Sequence, residues 1–309
     1  MKCSLSLFLF FFILNKGAAQ QINYFYMRDS LYKHVDFLAS LTPARNYYQI
    51  ASLNKAAGYI KDEFEKLGCT VEEQKYKVAG GEYKNIIASF GPKEGSRIVV
   101  GAHYDVCGNQ PGADDNASAV AGLIELAKMI TANKDNLKYR IDFVAYTLEE
   151  PPVFATKQMG SAVHAKSLKD SKVDVKAMIC LEMIGYFSEK PGSQGFPDPQ
   201  MKKLYPDKGN FIIVVGRTGQ ENFTANVKQL MKDGSKIDVQ SITLPPSNSL
   251  AGLSDHRNYW DLGYLAVMIN DTSFLRNPNY HQVTDTIDTL DFDKMAEVVK
   301  GVYNVIVNL

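Results

Sequence analysis

The chain has 309 residues, enough for one large hydrophobic core or two modest ones. Its 34 Lys+Arg balance 34 Asp+Glu, so no net field draws it to nucleic acid or to an anionic membrane surface. Hydrophobic residues at 45% and charged residues at 22% are ordinary for a soluble globular protein.

The chain starts with Met1-Lys2, continues as an almost unbroken run of Leu, Phe and Ile over 5–14, and then offers Gly17-Ala18-Ala19. A positive start, an apolar run and small residues at a cleavage point make a secretory signal, too short for a comfortable transmembrane span. Residues 1–19 are therefore expected to be removed. Residues 20–309 are then expected to form one domain outside the cytoplasm, secreted or periplasmic, with no membrane attachment after cleavage. Cys69, Cys107 and Cys180 remain; three cannot all pair within one chain, and their spacing matches no zinc-finger pattern.

From about residue 50 onward, helix and strand signals alternate. Ser52 is a candidate cap for a helix through Ala56, Ile60, Phe64 and Leu67, which Gly68 would stop. Apolar runs at 85–89, 97–102, 141–146, 177–183, 211–215 and 265–269 read as strands. Several are continuous rather than alternating, which suits strands buried on both faces of a sheet. Helical stretches cover 118–130 and 222–231, and the Gly- and Pro-containing segment 188–210 reads as a loop insertion. In the last helix Phe292, Met295, Val299, Val302 and Ile306 recur at steps of three and four behind Asp291 as cap. These elements predict a single α/β domain, a largely parallel mixed sheet with helices on both faces.

Four of the predicted strands end in chemistry. His103-Tyr104-Asp105 follows 97–102, Glu149-Glu150 follows the third run, Glu182 follows 177–181, and the loop beyond 265–269 reaches Tyr280-His281. Open α/β sheets bind ligands beyond the carboxyl ends of their strands, so these groups are expected on one edge. A further group, Asp114-Asp115-Asn116, lies in the turn before the helix at 118–130. Histidines and carboxylates without Cys suit a catalytic zinc site that keeps positions open for water. Each piece alone has a plainer reading: a polar turn, a solvated Glu pair, a helix cap, a loop histidine. Their joint placement at strand ends separates them from that background.

The strings GAHYD, PGADDNASA, EE followed by MGS, LEMIGY, SDHRNYWDLGY and NYHQVTDTIDTLD stand in the order and spacing of the M28 family of metallopeptidases. The chain resembles that family from about residue 30 to its C-terminus. The family includes bacterial aminopeptidases, some carboxypeptidases, animal-type glutaminyl cyclases and noncatalytic receptors. The resemblance implies a zinc-peptidase (phosphorylase/hydrolase-like) architecture holding two Zn(2+) ions per chain. Asp115 would bridge them, His103 and Glu182 would complete one ion's protein ligands, and Glu150 and His281 the other's. Glu149 would be the general base acting on a zinc-activated water. Asp105 would join the catalytic machinery by accepting the free ring proton of His103. The implied activity is that of an aminopeptidase on peptides with a free N-terminus. The alternatives are cyclisation of N-terminal Gln on a single zinc, and receptor-like binding without catalysis.

Two departures stand out. Glu182 occupies a place where many relatives carry Asp. Leu250-Ala251-Gly252 offers no Tyr ahead of Ser254-Asp255-His256, which leaves Tyr280 or the second zinc to stabilise the oxyanion. Because Ser254, Asp255 and His256 are consecutive, they do not suit a triad of separated positions and read as support for the site or as its wall. The sequon-like Asn116-Ala117-Ser118 falls inside the proposed metal loop, where the match is read as chance.

Overall fold

A computed structural model describes residues 26–309; the leader expected at 1–19 lies outside them. Eight strands form one sheet in the order β1-β2-β4-β3-β5-β8-β6-β7. β1 (Thr70–Val78) and β2 (Gly81–Phe90) make an antiparallel hairpin at one edge, and β2 runs antiparallel to β4 (Arg140–Tyr146). At the centre β4, β3 (Arg97–His103), β5 (Val175–Glu182) and β8 (Ala266–Asn270) are parallel neighbours. β6 (Phe211–Arg217) is antiparallel to β8 and pairs in parallel with β7 (Asp238–Leu244), the other edge.

Alternate side chains of the central strands enter two separate cores. Ile98 and Val100 of β3, Phe143 of β4 and Leu181 of β5 pack with one set of helices: 26–39 (α1), α2 (Ile50–Glu65), α3 (Ala119–Thr131), α5 (Glu221–Gly234) and α7 (Phe292–Asn308). Val99, Val144 and Met178 pack on the opposite face with Ala165 and Leu168 of α4 (Gly160–Asp170) and Tyr259 and Trp260 of α6 (His256–Asp261). Continuous apolar runs are the sequence signature of this double burial, since a side chain on either face leaves water for about 1.5–3 kcal/mol. Gly101 interrupts β3 for a steric reason: a Cβ there would stand 2.2 Å from the Tyr146 ring.

The polar edges were harder to read. β1, Thr-Val-Glu-Glu-Gln-Lys-Tyr-Lys-Val, is mostly exposed or half-buried and takes its order from hydrogen bonding to β2. Its charges also blunt an edge that would otherwise invite further strands. One expected cap is different. Gln49 precedes α2, and the Ser52 hydroxyl donates instead to the Pro43 carbonyl at 2.6 Å. Asp291 does cap α7, accepting the Lys294 amide at 3.0 Å. Cys69, Cys107 and Cys180 are all unpaired. Among the described residues no helix is long and apolar enough to cross a membrane.

Candidate metal centre and active site

Three of the four central strands deliver residues at or just past their C-terminal ends to one place, and the loop after the fourth joins them. His103 is the last residue of β3 and Glu182 the last of β5, while Glu149 and Glu150 follow β4. Asp115 lies in the distorted turn Ala113–Ser118 ahead of α3, and His281 in the loop after β8 with a left-handed φ of 57°. His103, Asp115, Glu149, Glu150 and Glu182 are all buried, whereas the His281 side chain is 26% exposed.

Asp115 faces two ways. Its Oδ1 is 3.5 Å from His103 Nε2, and its Oδ2 is 3.2 Å from His281 Nε2. Around His103 Nε2 stand Glu182 Oε2 at 3.3 Å and Glu149 Oε2 at 3.9 Å. Around His281 Nε2 stands Glu150 Oε1 at 3.4 Å. The sequence-predicted ligands therefore gather on both sides of the Asp115 carboxylate, with Glu149 beside His103 and with Glu150 close enough to group with His103 and Asp115 as well, their ligand atoms within 4.8 Å of one another.

Those positions are held by a layer that sequence reasoning found only in part. The Asp105 carboxylate accepts the Glu149 and Glu150 amides at 3.1 and 3.0 Å, fixing the turn after β4. His103 Nδ1 lies nearer the Asp105 main-chain carbonyl, at 3.2 Å, than its carboxylate, at 3.6 Å. Asp105 thus positions the ring chiefly through its backbone, because its side chain is engaged by the two amides. Asp285 repeats the device on the other loop, accepting the Asp114 and Asp115 amides at 2.9 and 3.0 Å. The Ser254 hydroxyl donates to Glu182 Oε2 at 2.6 Å, which makes Ser254 a support for that carboxylate. Arg45, almost fully buried, donates to the Tyr104, Leu38, Pro111 and Gly112 carbonyls and pins the loop that leads to Asp115.

Asp285 and Arg45 escaped the sequence reading for different reasons. Asp285 sits among Thr284 and Thr286, the composition of any polar turn. Arg45 precedes every strand end that carries chemistry, and its donors reach main-chain carbonyls that leave no mark in the sequence.

Electrostatically the site is short of positive charge. Burial pushes the Glu149 carboxyl well up, the Glu150 and Glu182 charges add to this, and His103 opposes them. Glu150 is pushed up to about 7, first by burial and then by Asp115. Burial also raises Glu182 against the pull of His103. On His281 burial disfavours the charge, yet the Asp115 and Glu150 carboxylates beside it, at 3.2 and 3.4 Å, hold the ring up at about 10. Arg45 comes down to about 10 through burial, opposed by Asp285 and Asp115, and so keeps its charge at neutral pH. Buried Glu150 Oε1 accepts no hydrogen bond, although an unsatisfied buried polar atom costs about 1–3 kcal/mol. Imidazole nitrogens and carboxylate oxygens gathered around an excess of buried negative charge fit one or two divalent cations of the zinc type. Cys107 adds a sulfur: its Sγ, a Glu150 oxygen and a His281 nitrogen lie within 4.8 Å of one another.

Beside this cluster lies a cavity of about 400 Å³, lined on the cluster's side by Glu182 and Tyr280. Phe211, Ile213, Ile242, Leu244, Leu253 and Met268 give it apolar walls, and Phe196 and Met201 of the 188–210 insertion contribute another side. Tyr280 stacks on His281 with ring centroids 3.8 Å apart. Burial and then the Asp115 and Glu150 charges push its phenol far up, so it stays a hydrogen-bond donor.

The sequence profile described as Peptidase family M28 matches residues 85–306. The protein named "Uncharacterized protein YfbL", from Escherichia coli strain K12, is 44% identical over 288 residues, spanning 91% of this chain and 88% of its own length. A probable leucine aminopeptidase 1 from Trichophyton verrucosum is 25% identical over 293 residues, spanning 88% and 72%. Among solved structures, the LapA aminopeptidase of Legionella pneumophila superposes with a TM-score of 0.71 at 21% identity, over 90% of this chain and 70% of that one. A glutaminyl cyclase of Bacteroides thetaiotaomicron reaches 0.67 at 20% identity, over 91% and 98%. A Zn-dependent exopeptidase of Parabacteroides distasonis reaches 0.66 at 20% identity, again over 91% and 98%. At these identities the structural likeness is one of fold.

Proposed function

Because the chain belongs to peptidase family M28, we propose that it is a zinc-dependent aminopeptidase with two adjacent metal positions, removing apolar residues from peptide N-termini. The observation that carries this reading is Asp115, whose two oxygens face the His103 and His281 ring nitrogens at 3.5 and 3.2 Å. His103, Glu182 and Asp115 would hold one ion; His281, Glu150 and Asp115 would hold the other. Bound zinc supplies Lewis acidity and lowers the pKa of water towards neutrality.

The chain's own groups supply the rest. Glu149 is not needed as a ligand and lies 3.9 Å from His103 Nε2, at the reacting face of the cluster. As general base its carboxylate takes a proton from the attacking water as the new C–O bond forms, then passes it to the departing nitrogen as the C–N bond breaks. The Tyr280 phenol, kept protonated beside His281, donates to the oxyanion of the tetrahedral intermediate. The cavity of about 400 Å³ takes the first side chain, and its aliphatic and aromatic walls favour Leu, Phe or Met there. The leader at 1–19 supports export, with 20–309 acting outside the cytoplasm.

The test is a panel of peptides on zinc-loaded mature protein, read by mass spectrometry. Free Leu- and Phe-terminal peptides should lose one residue fastest, Gly-terminal peptides slowly, and N-acetylated peptides barely at all. Equal rates on free and acetylated peptides would remove the N-terminal specificity. Loss of ammonia from Gln-terminal peptides without cleavage would replace the reading with cyclisation.

A further inference from the structure

Cys107 lies on the loop between β3 and the Asp115 turn and is only partly buried. Its Sγ keeps company with one end of the site alone, the Glu150 oxygen and the His281 nitrogen, all within 4.8 Å of one another. A second observation points the same way. Glu150 is 4% exposed, and its Oε1 faces the His281 ring nitrogen at 3.4 Å without a well-formed hydrogen bond, so a buried acceptor beside the sulfur is only partly satisfied. We propose that Cys107 is a further ligand of the metal position at the Glu150–His281 end, which makes that end thiophilic. The inference rests on the reading of Glu150 and His281 as ligands given above.

Metal–sulfur bonds of ~2.3 Å and metal–nitrogen or –oxygen bonds of ~2.0–2.2 Å bring two donors of one tetrahedral ion to roughly 3.3–3.7 Å apart. A half-exposed Cys side chain closes the remaining gap by a small rotation. On binding, the thiol proton leaves to solvent and a sulfur lone pair makes the new bond. Cys107 groups directly with Glu150 and His281, and with Asp115 on their far side the sulfur would make a fourth protein ligand, the number of a closed site, whereas the His103–Glu182 end would keep three and an open position. A soft donor also shifts preference towards zinc, cobalt and cadmium and away from magnesium or manganese. The end that carries Cys107 is thereby the anchoring one.

Cobalt(II) added to the metal-free mature chain reports on this directly. Wild type and Cys69→Ser should both show a near-ultraviolet sulfur-to-cobalt charge-transfer band, and Cys107→Ser should lose it while keeping the visible d–d bands. In unmutated protein, zinc should protect Cys107 from iodoacetamide, with the alkylated residue identified by mass spectrometry, and leave Cys69 reacting at its metal-free rate. Visible cobalt bands without a sulfur band in wild type, or zinc-independent alkylation of Cys107, overturn the ligand and leave the Glu150–His281 position standing. A wild type that takes up no cobalt at all overturns both.

Discussion

The two ends of the candidate centre are built differently. His103 and Glu182 are the final residues of parallel strands β3 and β5, fixed by the sheet's own ladder, buried, and braced by Asp105 and Ser254. Glu150 and His281 stand on loops, one held through its amide by Asp105 and the other in a left-handed conformation and partly open to solvent. A strand end fixes a ligand through main-chain bonds that are made anyway. A loop end depends on specific carboxylates reaching across the fold to hold it. Asp115 is common to both ends and belongs to a loop, so the better-built end still depends on the Asp285 clamp.

The largest expected effect separates chemistry from metal binding at both ends. Glu149→Gln keeps the size of the side chain but removes the base, so kcat should fall about 10²–10⁴-fold. Zinc content, measured by elemental analysis, should stay at the wild-type value, because the two clusters around Asp115 do not include this residue as a ligand. Near-normal turnover, or loss of an ion from one end, would show that Glu149 serves the metal rather than the water.

The same contrast explains what was legible in the sequence. His103, Glu149, Glu150 and Glu182 could be placed because continuous apolar runs mark doubly buried strands, and the residue after such a run is forced to the sheet's edge. The turn with Asp115 and the loop with His281 were grouped with them, but nothing in a turn or a long loop fixes its direction locally, and the roles of all six residues came from the family resemblance. Asp285 and Arg45 were out of reach. Their partners are backbone amides and carbonyls 170 and 67 residues away, and any residue type supplies those. Edge strands β1 and β7 were missed for a related reason: polar residues dominate them, a few side chains such as Val78 and Val239 reach the core, and hydrogen bonding to a neighbour orders the rest.

A smaller effect tests the shared clamp. In Asp285→Asn one oxygen of the carboxylate becomes an NH2 group, which faces an amide N–H it cannot accept. The Asp114–Asp115 turn then loses one of two fixing bonds, and affinity for metal should fall about 10–100-fold, the usual range for residues that orient ligands. Because Asp115 serves both ends, chelator competition should show both ions weakened. Weakening of one ion alone would mean that Asp115 does not bridge.

The smallest effect belongs to one end only. Ser254 donates to Glu182 Oε2 at 2.6 Å, and Glu182 carries one methylene more than an Asp would. A longer arm has more rotamer freedom to lose, up to about 1.5–2 kcal/mol when fully ordered. The Ser254 hydroxyl and the surrounding burial impose much of that order before any ion arrives, so they offset the disadvantage of the longer side chain. Ser254→Ala restores the freedom and removes a hydrogen bond to a charged group, for which about 1.5–3 kcal/mol is typical. Since a bound ion would itself restrain the carboxylate, the lower end of that range applies. The ion at His103 should bind about tenfold more weakly, which corresponds to about 1.4 kcal/mol. The Glu150–His281 ion should be unchanged, because none of its ligands touches Ser254. Two-step zinc titration of the metal-free protein, wild type against Ser254→Ala, resolves the two ions. Equal weakening of both steps would make Ser254 a general packing residue, and no change in either would show that Glu182 is ordered by the sheet alone.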